Sequence, residues 1–84
     1  MTSQPFIEHV VPKNGKGGYT IAASEREDGR WRVTLCQCKP TQRYNKEIGA
    51  RTATARHASG KWFVRSTEEL ATLLTFFKQK VDTQ

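Results

Sequence analysis

Cys36 and Cys38, two residues apart, and the two histidines, His9 and His57, are the soft metal ligands of this chain and could pair as thiol nucleophile and imidazole base. A structural zinc needs about four ligands, commonly arranged as two spaced pairs. Here it would have to draw two remote histidines to one strand, so the cysteines are read instead as small, semi-buried strand residues. Two thiols so placed project to one face without the geometry of an unstrained disulfide, and both are expected to be reduced. No acid stands at a recognisable spacing to orient a Cys–His pair. Lys13-Asn14-Gly15-Lys16-Gly17-Gly18 is basic and Gly-rich, yet it lacks the Gly-x-x-x-x-Gly-Lys-Ser/Thr spacing that cradles a nucleotide. It reads as a mobile basic loop able to touch a phosphate backbone. No motif names a reaction, no metal or other cofactor is implied, and the chain is read as non-enzymatic.

Charge carries more information. Between Arg30 and Arg65 the chain holds nine Lys/Arg (Arg30, Arg32, Lys39, Arg43, Lys46, Arg51, Arg56, Lys61, Arg65) against the single acid Glu47, a local charge of +8 in a chain of net +6. The flanks are therefore each slightly acidic. Charge sorted in this way makes one basic surface, and a polyanion is the partner whose condensed counterions such a surface releases. Nucleic acid, DNA first, is the expected partner. Arg30, Arg32, Arg43, Lys46, Arg51, Arg56, Lys61 and Arg65 are the expected phosphate contacts.

Trp31, Tyr44, Trp62 and Phe63 are interleaved with these arginines, the mixture that stacks bases beside phosphate contacts in single-strand binders. Trp31 alternates with Val33 and Leu35 and belongs with the core. Trp62 and Phe63 are adjacent on a strand and cannot both point inward, so one of them is the expected aromatic contact.

At 84 residues, with 36% hydrophobic and 26% charged residues, the chain is expected to form one globular domain with one modest core. So small a core gains from added burial, which leaves a homodimer open. No apolar run approaches the roughly 20 residues of a spanning helix, and the basic-then-apolar order of a signal peptide is missing. A cytoplasmic protein, of a bacterium or of a bacterial host cell, is expected.

The elements that must position these residues follow from periodicity. Residues 1–18 are read as a flexible or edge-strand arm, with 6–11 as the strand and the Gly-rich stretch as a loop. Tyr19 to Arg26 and Arg30 to Cys38 form a hairpin. A three-residue loop, Glu27-Asp28-Gly29, puts Tyr19, Ile21 and Ala23 on one face with Trp31, Val33 and Leu35, whereas a two-residue loop would place them on opposite faces. The other face then carries Thr20, Ala22, Ser24, Arg26, Arg30, Arg32, Thr34 and Cys36 and is expected to look outward and meet phosphates. Residues 39–60 admit a strand over 50–57 or a helix over 43–57. The helix is preferred, with Tyr44, Ile48, Thr52 and Ala55 as its inward stripe, although Gly49 and the threonines weaken it. Lys61 to Val64 is a further strand. Ser66-Thr67-Glu68-Glu69 caps a C-terminal helix whose Leu70, Leu73, Leu74, Phe77 and Val81 recur on one face. The expected fold is α+β: a small antiparallel sheet of three to four strands packed by the C-terminal helix.

Two resemblances rest on these residues. Cys38-Lys39-Pro40, then Tyr44, Gly49, Ala53 and Arg56, resembles a pattern in small accessory proteins of bacteriophages and mobile elements: Cys-x-Pro, an aromatic, then Gly-x-x-x-Ala-x-x-Arg. It covers roughly a quarter of the chain. That resemblance implies a second class of function, an inhibitor that binds a host enzyme or a defence complex in the manner of an anti-CRISPR protein, through a few aromatic and Arg anchors. Gly29-Arg30-Trp31-Arg32-Val33 and Gly60-Lys61-Trp62, leading into the helix at Thr67, resemble the sheet-reading DNA-binding modules of plant transcription factors and integrase arm domains. No binding residue is carried over from either.

Overall fold

Asp28 and Gly29 turn the chain between its two longest strands. In the computed structural model, which describes residues 5–82, the Gly29 N–H donates to the Arg26 carbonyl at 3.1 Å and Gly29 takes φ 83°. This is the left-handed position that a three-residue hairpin loop reserves for glycine. The strands that it joins, β2 (Lys16–Glu25) and β3 (Trp31–Arg43), pair antiparallel with Ala23 opposite Val33 and Ile21 opposite Leu35. The alternation of apolar residues and the loop length thus agree on one register. β1 (Phe6–Val10) pairs with β2 at one edge and β4 (Phe63–Arg65) with the start of β3 at the other, giving the antiparallel order β1-β2-β3-β4. Among the described residues two helices complete the fold, α1 (Lys46–Ala58) between β3 and β4 and α2 (Thr67–Asp82) after β4.

α2 begins at a reciprocal cap. The Ser66 Oγ accepts from the Glu69 N–H at 3.1 Å, and the Ser66 N–H donates to Glu69 Oε1 at 3.1 Å. Leu70, Phe77 and Val81 are buried and Leu73 and Leu74 half-buried against Val10, Tyr19, Ile21, Ala23 and Val33 of the sheet, with Trp31, Leu35 and Phe63 around them. Ile21 and Val33 are fully buried at its centre. Side chains of that size contribute about 1.5–3 kcal/mol each on burial, which makes this the main core.

The opposite face of the sheet is not open. α1 lies on it, and Ala53 packs with Ala22, Cys36 and Ile7. Gly49 meets Thr20 at one end of the helix and His57 meets Ser24 at the other. Four helical residues rise about 6 Å and two strand residues about 6.6 Å, so Gly49, Ala53 and His57 step in near-register along Thr20, Ala22 and Ser24. The expected phosphate-contacting face is thereby corrected: Thr20, Ala22, Thr34 and Cys36 are buried beneath a helix. The expected inward stripe is corrected too. Ile48 is 59% exposed and Ala55 is exposed, whereas the small residues Gly49 and Ala53 face the sheet. Helix 43–57 begins three residues later than expected, because Asn45 caps it through a bond from the Ile48 N–H to its Oδ1 at 3.0 Å. Lys39–Arg43 extends β3, and Gly17 and Gly18 are buried within β2 instead of forming a loop.

Candidate nucleic-acid interface

The long β2–β3 ladder continues past the end of β1, and its last pair sets Lys16 opposite Arg43. Residues 39–42 bulge there against the single residue Gly17, whose backbone lies close to Pro40 and Lys39. The Tyr44 N–H donates to the Gly15 carbonyl at 2.8 Å and ties the start of α1 to the same end. Lys13, Lys16, Lys39, Arg43 and Lys46 are consequently gathered around one end of the sheet, all exposed. Among the described residues none of the five is in an ion pair. Arg43 and Lys46 were expected as contacts. Lys13 and Lys16 were expected only as part of a loop able to touch a phosphate backbone and Lys39 was not placed among the contacts; the pairing of β2 with β3 sets Lys16 and Lys39 beside Arg43.

A second basic group lies at the β3–β4 edge, about 20 Å away along the 13 residues of α1. Arg32 is half-buried on β3, and its guanidinium carbon lies 5.1 Å from the centroid of the Trp62 ring. Arg56 reaches from α1 to within 3.7 Å of Cys36 Sγ, and Lys61 is exposed beside Trp62. Arg30 and Arg65 flank the start of α2, where both act on Glu69. The two Ser66 bonds, first from its backbone and then from its side chain, hold the Glu69 carboxyl below its ordinary range, and Arg65 and Arg30 add to the shift. Arg65 is further engaged within the chain, lying 4.7 Å from the Phe63 centroid and donating to the Val64 carbonyl at 2.8 Å. Arg51 is exposed on α1 and meets Glu47 at 3.3 Å in a largely solvated pair. The eight arginines and lysines expected as one surface are therefore divided between two groups, with Arg51 on the helix that joins them.

The strand expected over Lys61 to Val64 is corrected to Phe63–Arg65, because only these residues pair with β3, and the aromatic pair divides at its start. Phe63 stands opposite Val33 and packs on the core, while Trp62 is 36% exposed. Trp31 is half-buried against the core with its Nε1–H on Thr67 Oγ1 at 3.1 Å. Tyr44 inserts between α1 and the sheet. Its hydroxyl donates to the Tyr19 carbonyl at 3.1 Å and is bonded to His9 Nδ1 at 2.8 Å and to Thr20 Oγ1.

His57 has a similar anchoring role. Its Nδ1 lies 2.9 Å from Thr34 Oγ1, and that hydroxyl donates to the Lys61 carbonyl at 3.2 Å. Thr34 has one proton, so Nδ1 carries the imidazole hydrogen and Nε2 accepts from Ser24 Oγ at 2.7 Å. Burial lowers the His57 pKa below 6.5 and the nearby Arg32 charge lowers it further, which keeps the ring neutral in this tautomer. Cys36 and Cys38 are both free thiols. Among the described residues no three His, Cys, Asp or Glu side chains cluster as metal ligands, and no helix is long and apolar enough to cross a membrane. No family model, curated protein or solved structure matches this chain.

Proposed function

We propose that the protein is a non-enzymatic nucleic-acid-binding module that holds phosphates at the Lys13, Lys16, Lys39, Arg43 and Lys46 end of the sheet and along the outer side of α1. The observation that carries this reading is the pairing of Lys16 with Arg43, at an end of the sheet that gathers five exposed cations, none of them in an ion pair among the described residues. Such a group gains free energy on binding by releasing condensed counterions, so affinity must fall steeply with salt. With five phosphate contacts on a duplex, log K falls against log salt with a slope of roughly −4.5.

Fluorescence anisotropy of labelled duplex and single-stranded oligonucleotides at about 50 mM and about 200 mM salt tests the reading. Binding that weakens with salt, and weakens further when Lys16 and Arg43 are both replaced by Glu, is the expected result. No binding at low salt, or unchanged binding by the double variant, overturns it.

A second reading, an inhibitor that docks on a host protein, is favoured by Phe76, 55% exposed on the outer side of α2 beside Ala71, Thr72 and Thr75. Large aromatics are preferred anchors of protein interfaces. Capture of a bacterial protein that survives nuclease treatment and is lost on Phe76→Ala supports this reading; capture that nuclease abolishes removes it.

A further inference from the structure

We propose that the nucleic acid this interface takes is single-stranded, and that the Trp62 indole, backed by Arg32, is the platform on which one unpaired base stacks. The inference rests on the nucleic-acid reading above and assigns its substrate class. Trp62 is one of only two tryptophans in the chain and leaves 36% of its surface in water, although the core of so small a domain gains from every large apolar side chain. Its position is held on both sides. The Lys61 N–H donates to the Arg56 carbonyl at 3.0 Å, the Lys61 carbonyl accepts from Thr34, and Phe63 is fastened to the core opposite Val33. The ring therefore projects from a backbone that needs no ordering when a ligand arrives, which lowers the entropic cost of binding.

Arg32 occupies one side of the ring at 5.1 Å, and among the described residues the indole N–H has no hydrogen-bond partner. An aromatic face beside a guanidinium, with the exposed cations Arg56 and Lys61 adjoining it in the chain's turn from α1, combines the two contacts that single-strand binders use, base stacking and backbone neutralisation. A paired base offers no free π-face. Presenting one from a duplex requires unpairing and unstacking, which costs a few kcal/mol and disfavours the duplex.

The test uses the full chain, a short oligothymidylate and a duplex of equal length. Trp31 has its N–H on Thr67 and is half-buried, so it gives a constant background against which Trp62 emission is read; Trp31→Phe removes even that. Oligothymidylate is expected to bind more tightly than the duplex and to quench Trp62 emission in step with the anisotropy change. Trp62→Ala is expected to weaken single-strand binding by roughly 5- to 150-fold, Trp62→Phe to restore most of it, and duplex binding to move little in either. Emission unchanged at saturation, a duplex preference, or a Trp62→Ala variant that melts normally and binds oligothymidylate as the parent does each overturns the stacking platform. In those cases the Lys16 and Arg43 dependence stays intact and the nucleic-acid reading stands. Failure of the parent to bind either polymer at low salt overturns both and points to a protein partner.

Discussion

Gly49 of α1 rests on Thr20 of β2 with no space for a methyl group between them. A Cβ at Gly49 would overlap Thr20 Oγ1 and come within 3.1 Å of the Tyr44 hydroxyl. Thr20 is 1% exposed on a central strand and its hydroxyl is bonded to Tyr44, so it cannot swing aside. Alanine at an ordinary helical position would stabilise by roughly 0.5–1 kcal/mol. Here the overlap costs about 1–3 kcal/mol and reverses the sign. Gly49→Ala is therefore expected to lower the urea midpoint, and a raised midpoint would show that α1 shifts freely over the sheet.

Stability is expected to fall on mild acidification. Burial first and Arg32 second lower the His57 pKa, and burial first and Lys46 second lower that of His9, with Glu8 opposing in part. The unfolded chain takes up these protons near pH 6.5, whereas the folded chain resists them until the pH reaches the lowered values. The unfolded state then binds more protons, and stability present above about pH 6.5 is lost as pH falls through the window below it. Urea unfolding at about pH 7.5 and about pH 5.5 should give a lower midpoint in acid, with a smaller difference in His57→Gln. A midpoint that is flat or higher at the acid pH contradicts this account.

The α2 face sorts by depth. Phe77 is 8% exposed and its ring lies 4.5 Å from that of Tyr19 by centroid, so Phe77→Ala is expected to cost about 3–5 kcal/mol, enough to unfold a domain of this size. Leu73 and Leu74 are half-buried, and alanine there should fall at or below the lower end of the usual range of about 2–5 kcal/mol. Thermal melts of the three variants provide the ranking. Equal melting temperatures would mean that the face does not sit on the sheet.

Ser66→Ala removes one half of the reciprocal cap and leaves the Glu69 N–H without its side-chain acceptor. A loss of about 1 kcal/mol is expected, with Ser66→Asp close to the parent because aspartate caps equally well. Chemical denaturation of both variants measures it. A parent-like Ser66→Ala variant would show that water satisfies the end of this helix at no cost.

The amino-acid sequence by itself determined the elements whose signals are local. The Leu70, Leu73, Leu74, Phe77 and Val81 spacing with Ser66 and Glu69 ahead of it specifies α2, and the apolar alternation on either side of Gly29 specifies the hairpin register. The count of cations between Arg30 and Arg65 was equally open to reading. The tertiary structure alone decided where α1 lies. Its inner line of Gly49, Ala53 and His57 has no apolar period, because the helix is fitted by small size at Gly49 and Ala53 and by the hydrogen bonds of His57 with Ser24 and Thr34. The Gly-x-x-x-Ala spacing held that information as a close-approach surface, and the small residues Thr20, Ala22, Thr34 and Cys36 beneath it read as a solvent face for the same reason. Laying α1 along that face split the basic block into two groups, and the pairing of β2 with β3 set Lys16 and Lys39 beside Arg43. Local periodicity reports which side of an element is apolar, but the neighbours of a charge are set by pairing between distant segments, and that pairing exists only once the chain has folded.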